Sequence, residues 1–129
     1  MSALGRTEWL LLAGVSAAAT LLHAAQVDWL RFILAFALID AVGYWPGALA
    51  VRKAGGGLTS PVYVWLYNLT HNFVTGAVAC AAWALLNGGL EWAMLAIPLH
   101  LAGDRGLFGN GFKRSDEPFE PLAPRSRIA

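Results

Sequence analysis

Residues 29–51 read WLRFILAFALIDAVGYWPGALAV, apolar throughout except for Arg31 near one end and Asp40 near the middle. The run is continuous instead of alternating, so it is not a barrel strand, and as a helix it is long enough to cross a hydrocarbon core of about 30 Å. Three similar runs flank it. Residues 9–25 lack acidic and basic side chains apart from His23, residues 61–86 are long enough to span with some tilt, and residues 90–107 form the fourth. Gln26-Val27-Asp28, Arg52 to Gly57 and Asn87-Gly88-Gly89 separate them as short polar or glycine-rich turns. The chain is therefore expected to be all-α: a four-helix transmembrane bundle of residues 1–112 with both termini cytoplasmic, followed by a short cytoplasmic tail, 113–129.

Composition agrees. Of 129 residues 57% are hydrophobic and 13% charged, and the mean hydropathy is +0.54. Soluble domains carry about a quarter charged residues, so disorder is excluded and a soluble fold disfavoured. The length leaves no room for a second domain, and a lone cysteine, Cys80, excludes an intramolecular disulfide or a zinc ribbon. The first run resembles a signal peptide in size, but Glu8 spoils its basic flank and no small-residue cleavage pair surrounds His23, so it is expected to be a retained helix.

Charge orients the bundle. Arg6, Arg52, Lys53, Arg105, Lys113, Arg114, Arg125 and Arg127 fall on one side of four spans and only Arg31 on the other. The positive-inside rule makes the richer side cytoplasmic, in a multi-pass protein of the inner membrane. Trp9, Trp29, Trp45, Trp65 and Trp92 lie near span ends, as interfacial tryptophans do. The expected partner is the lipid bilayer and not a nucleic acid, with a homo-oligomer or a larger membrane complex both open. Pro118, Pro121 and Pro124 make the tail read as extended or disordered.

The polar residues inside the spans point to a site. At about 1.5 Å per residue, Asp40, His71 and His100 each lie roughly 15 Å into their helices, so three titratable groups share one depth. Tyr44, Tyr67, Asn68 and Asp104 fall on its cytoplasmic side. Asp40, Tyr44 and Gly47 follow one helical stripe, Asn68, Asn72 and Thr75 another, and Ala93, Ala96, His100 and Asp104 a third, while Ser16, Thr20 and His23 form a milder stripe on the first helix. Small and polar residues on one face suit a close helix interface in lipid.

Three motifs carry a resemblance: Asp40-Ala41-Val42-Gly43-Tyr44 followed by Gly47; Tyr67-Asn68-Leu69-Thr70-His71; and His100-Leu101-Ala102-Gly103-Asp104-Arg105 followed by Gly109, Gly111 and Lys113. In these the chain, over about residues 10–113, resembles an uncharacterised family of small four-helix bacterial membrane proteins. It departs from that family's pattern in having Ile39 where a proline precedes the aspartate. The resemblance implies the fold and the choice of residues, and brings no reaction with it.

Several chemistries suit these residues. His71, His100 and Asp104 are expected metal ligands, because imidazole and carboxylate bind zinc, iron or manganese and His100 with Asp104 at i, i+4 can meet one ion. Asp40, Tyr44, Tyr67, Asn68 and Arg105 would bind a small polar ligand beside the ion. A divalent metal there would activate water for hydrolysis of a lipid-linked substrate, with a tyrosine steadying an oxyanion and Arg105 drawing in a phosphate. No span contains a dense motif such as His-Glu-x-x-His. Three alternatives stand beside this reading: a hydrogen-bonded polar core in a structural or accessory subunit, a small proton-coupled transporter depending on Asp40, and a haem held axially by His71 and His100. Asn68-Leu69-Thr70 lies within a span and is no glycosylation acceptor, Gly55-Gly56-Gly57 lacks the lysine of a phosphate loop, and Cys80 has no histidine a turn away. Pro98 is expected to bend the fourth helix and free a carbonyl near the polar level.

Overall fold

A computed structural model describes residues 1–120; the tail positions Pro121, Pro124, Arg125 and Arg127 lie outside the described residues. Helix α1, Ala3–Leu22, starts at Ser2, whose hydroxyl accepts from the Gly5 amide at 3.1 Å. A 3-10 turn, Ala24–Gln26, leads to Asp28, which caps α2, Trp29–Gly43, by accepting from the Arg31 amide at 3.0 Å. Helix α3, Trp45–Lys53, continues the same line through Tyr44, where Pro46 cannot donate to the preceding turn. Helix α4, Pro61–Thr70, places Pro61 in its first turn, where the missing N–H costs nothing. Helix α5, Phe73–Asn87, stops at Gly88, whose positive φ of 76° closes the helix while the Gly89 amide bonds back to Ala84 O. A 3-10 turn, Trp92–Leu95, precedes α6, Ala96–Gly106.

The described residues are all-α. Trp29–Lys53, that is α2 with α3, is the one continuous stretch long and apolar enough to cross a membrane; α4 and α5 make a second only if counted together across a 58° bend. Two expected helices thus differ from the sequence reading. The run 61–86 breaks at His71 and Asn72, because the Asn72 side chain accepts from the Thr75 amide at 2.8 Å and starts a new helix. The run 90–107 is a 3-10 turn followed by eleven residues of α-helix. Pro98 consequently sits in the first turn of α6, where a proline introduces no bend.

Helices α1 and α6 pair antiparallel along their lengths. At one end the Arg6 guanidinium donates to Gly106 O (2.9 Å) and Leu107 O (3.1 Å), placing a cation on the carbonyl end of α6. At the other end the His23 and Trp92 rings stack at 3.6 Å. Ser16 and Thr20 are buried on the α1 face between. Helix α2 packs on both α4 and α6, and near its start Arg31 joins it to Asn87 (3.0 Å) and Glu91 (2.9 Å). One small core, Val27, Phe32, Ala93 and Ala96, lies toward that end; a second, Ala48, Val51, Val64, Tyr67 and Phe119, lies toward the opposite one. Outside them much of the surface is apolar, with Val74, Leu85, Leu86, Leu90 and Phe108 all exposed.

The α1–α6 contact depends on Gly106, where a Cβ would stand 2.9 Å from the Leu10 backbone nitrogen, whereas a Cβ at Gly103 meets nothing within 4 Å. Thermal unfolding in detergent is expected to show Gly106→Leu destabilised by about 1–3 kcal/mol as the two backbones are forced apart. Gly103→Ala, in the same helix, is expected to leave stability unchanged or raise it by up to about 1 kcal/mol.

Candidate metal centre

Asp40 lies eleven residues past the start of α2, on the face that approaches the α4–α5 break. Gly43, one turn on, allows that approach, because a Cβ there would run into Thr70 Oγ1 and lie 3.1 Å from the His71 ring. His71 is the residue at which α4 ends, with φ −97° and ψ 36°, so its ring leaves the helix at the bend. His100 comes from the middle of α6. The three residues offer ligand atoms that all lie within 4.8 Å of one another.

Hydrogen bonds decide how the histidines face. His71 Nδ1 is 3.1 Å from Tyr67 O and 2.9 Å from Thr70 Oγ1. A carbonyl only accepts, so Nδ1 carries the hydrogen, and in the neutral ring Nε2 presents a lone pair. That nitrogen faces Asp40 Oδ1 at 3.2 Å and Asp104 Oδ2 at 3.5 Å. A lone pair facing two carboxylates is unfavourable unless a proton, on Nε2 or on one of the carboxyl oxygens, or a metal ion lies among them. The Tyr67 ring stacks on His71 at 3.9 Å and 10°, holding its orientation.

His100 is buried at 4% exposure, and neither of its ring nitrogens has a hydrogen-bond partner. Its Nε2 stands 3.5 Å from Asp40 Oδ1, and its ring is packed against Phe36 (4.6 Å) and edge-on to His71 (5.5 Å). Asp40 Oδ1 thus reaches both Nε2 atoms and closes the gap that a porphyrin plane between them would need.

The remaining expected site residues divide. Asp104 touches the cluster only through His71, so the close set is Asp40, His71 and His100, with Asp104 at its edge. Arg105 does not point outward to a phosphate: its guanidinium donates to His71 O at 3.0 Å and lies between the Trp9 and Phe112 rings, at 4.9 and 4.7 Å. It thereby satisfies a carbonyl that the helix break leaves without an amide. Asn68 is committed to the backbone of Lys113, accepting from its N at 2.8 Å and donating to its O at 2.9 Å. Tyr44 donates to Glu120 Oε1 at 2.7 Å instead of facing the cluster.

Sequence reasoning missed three contributors. Thr70, read as part of a sequon and of the Tyr67–His71 motif but given no role, accepts from His71 Nδ1, and Gly43, quoted in the Asp40–Tyr44 motif, lets α2 approach; its position three residues after Asp40 was the available signal. Residues 113–129 were expected to be extended or disordered, yet among the described ones Phe119 is 1% exposed and packed on Tyr44 and Tyr67. Lys113, six residues before Phe119, has its Nζ over the Tyr67 and Phe119 rings at 4.6 and 4.5 Å. Burial pushes this ammonium below the ordinary lysine pKa, while Glu120 and Asp104 pull it back up. Comparison of the chain with family models, curated proteins and solved structures finds no match.

Replacing Arg105 by Gln is expected to cost about 1.5–3 kcal/mol in thermal unfolding, the range for a lost hydrogen bond to a charged group. The loss should be accompanied by faster amide exchange at residues 71–76, where α5 starts.

Proposed function

We propose that this is an integral protein of the inner membrane that holds a divalent ion of the zinc, iron or manganese kind at Asp40, His71 and His100. The observation that carries the reading is buried His100, whose ring nitrogens make no hydrogen bond and whose Nε2 faces Asp40 Oδ1 at 3.5 Å. Nearly all buried polar groups in folded proteins are hydrogen-bonded, and a 3.5 Å approach to one carboxylate oxygen leaves this ring short of that. Two atoms bound to one tetrahedral ion at about 2.1 Å lie about 3.4 Å apart. Asp40 Oδ1 lies 3.2 Å from His71 Nε2 and 3.5 Å from His100 Nε2. The Nδ1–H of His71 on Tyr67 O is the outer hydrogen bond that directs a histidine's other nitrogen toward a metal. Asp104 supplies a second carboxylate at the edge of the set, as a further ligand or as compensating charge.

The membrane assignment is supported by the apolar stretch Trp29–Lys53, most of which is exposed instead of buried as a soluble core helix would be. The apolar exterior of α5 and the concentration of basic residues on one side agree with it. The three motifs behind the resemblance to small four-helix membrane proteins also meet around this cluster. When bound, such an ion polarises an oxygen ligand or lowers the pKa of water to about 7. The chain's own part is to hold two imidazoles and a carboxylate in a fixed array.

A second reading has its own observation: protonated on Nε2, His71 would bridge Asp40 and Asp104 as an ion pair inside an accessory subunit. Metal content of untagged protein purified gently in detergent separates the two. The metal reading expects about one zinc, iron or manganese per chain, lost in His71→Ala and in His100→Phe. The ion-pair reading expects no metal, and expects His100→Phe to be as stable as wild type or more stable, since the change removes a buried ring whose nitrogens make no hydrogen bond and leaves the His71 ion pair in place.

A further inference from the structure

Residues 107–120 leave α6 and fold back over the end of the bundle nearest the cluster. The Asn110 amide donates to Asp104 O at 3.0 Å, and Asn68 grips the Lys113 backbone from both sides. Lys113 Nζ donates to Phe119 O. The Phe119 ring fills a socket of Tyr44, Ala48, Val51, Val64 and Tyr67. Gly47 forms the floor of that socket, where a Cβ would come within 3 Å of the ring. Glu120 then accepts from Tyr44. Beneath this segment a narrow cleft runs between Asn110-Gly111 and the side chains of His71 and Asp104, with no room for a water molecule. In the membrane reading the partly exposed side of Asp40 meets hydrocarbon, through which a hydrated ion does not pass. The cleft is then the route from the cytoplasmic face.

We propose that residues 107–120 are a latch over the metal centre, which exchanges its ion when Phe119 leaves the socket and the segment lifts. This rests on the metal reading above and adds its regulation. No hydrogen bond joins the segment to the side chains of Asp40, His71 or His100. A latch that does not touch the ion changes the rates of entry and exit by the same factor and leaves affinity as it was.

The test uses the full chain in detergent with Phe119→Ala and, independently, Asn68→Ala, each checked for wild-type helix content. In metal-free protein, carbethoxylation by diethyl pyrocarbonate is followed at each histidine by mass spectrometry. Reaction at His71 and His100 is expected to speed up about tenfold, as for about 1.4 kcal/mol less closure, while His23 at the far end of α1 reacts as before. With Zn2+ as the only ligand, association and release to a chelator should both accelerate, the equilibrium constant staying the same. Unchanged reactivity of His71 and His100 in both variants overturns the latch. So does faster release with weaker affinity and unaltered association, since the segment would then hold the site together instead of closing it. Wild-type protein that takes up no Zn2+ or other divalent ion refutes the metal reading alone, because the histidine readout requires no ion.

Discussion

A carboxylate in the middle of the one continuous helical stretch long and apolar enough to cross a membrane is the constraint on which the rest of this structure depends. Asp40 interrupts the stretch Trp29–Lys53, and an ionised carboxylate away from water costs several kcal/mol unless other groups meet it. The protein brings His71 and His100 to it from two other helices. Gly43 removes the side chain that would keep α2 from the α4–α5 bend, and α6 lies against α2 closely enough for His100 to reach. Helix packing at this level therefore serves the cluster as much as it buries apolar area.

The second requirement is the break at His71–Asn72. A straight helix through this point would carry His71 on a cylinder of fixed rotation, whereas the 58° bend puts its ring at a helix end with both nitrogens committed. Breaking a helix exposes carbonyls and amides that must be satisfied, most of all in an apolar setting. Here the Asn72 side chain takes the amide end and Arg105 takes the His71 carbonyl. Arg105 is itself fixed by Trp9 and Phe112, so α1, α6 and the segment beyond α6 all support one backbone irregularity.

Much of the site was legible in the sequence because depth along a helix is simple counting. Asp40, His71 and His100 were matched by position alone, and they do meet. Rotation was harder to read. Asn68, Asn72 and Thr75 fit a helical stripe, but an N-cap and the residue whose amide it binds are also three apart, so the same letters describe a continuous helix and a broken one. Tyr44, Asn68 and Arg105 were expected to bind a small polar ligand, and in the structure each is hydrogen-bonded within the protein. Their partners are Glu120, Lys113 and the His71 carbonyl, groups that no local pattern points to. Phe119 was hidden for a related reason: a single aromatic among prolines and charges gives no periodicity, and its socket is assembled by α3 and α4.

By itself the sequence determined the helical class, the apolar content, the turns at Arg52 to Gly57 and Asn87-Gly88-Gly89, and which ionisable groups share a level. These follow from composition, caps and spacing, which act within a few residues. Only the tertiary structure decided that Asp40 and not Asp104 joins both histidines, that Arg105 closes a helix break, and that residues 107–120 cover the cluster. Each of those outcomes rests on a contact between residues more than thirty positions apart in the chain or on a glycine that leaves room for a side chain of another segment. Such contacts depend on how the helices are placed against one another, which propensity and periodicity do not specify.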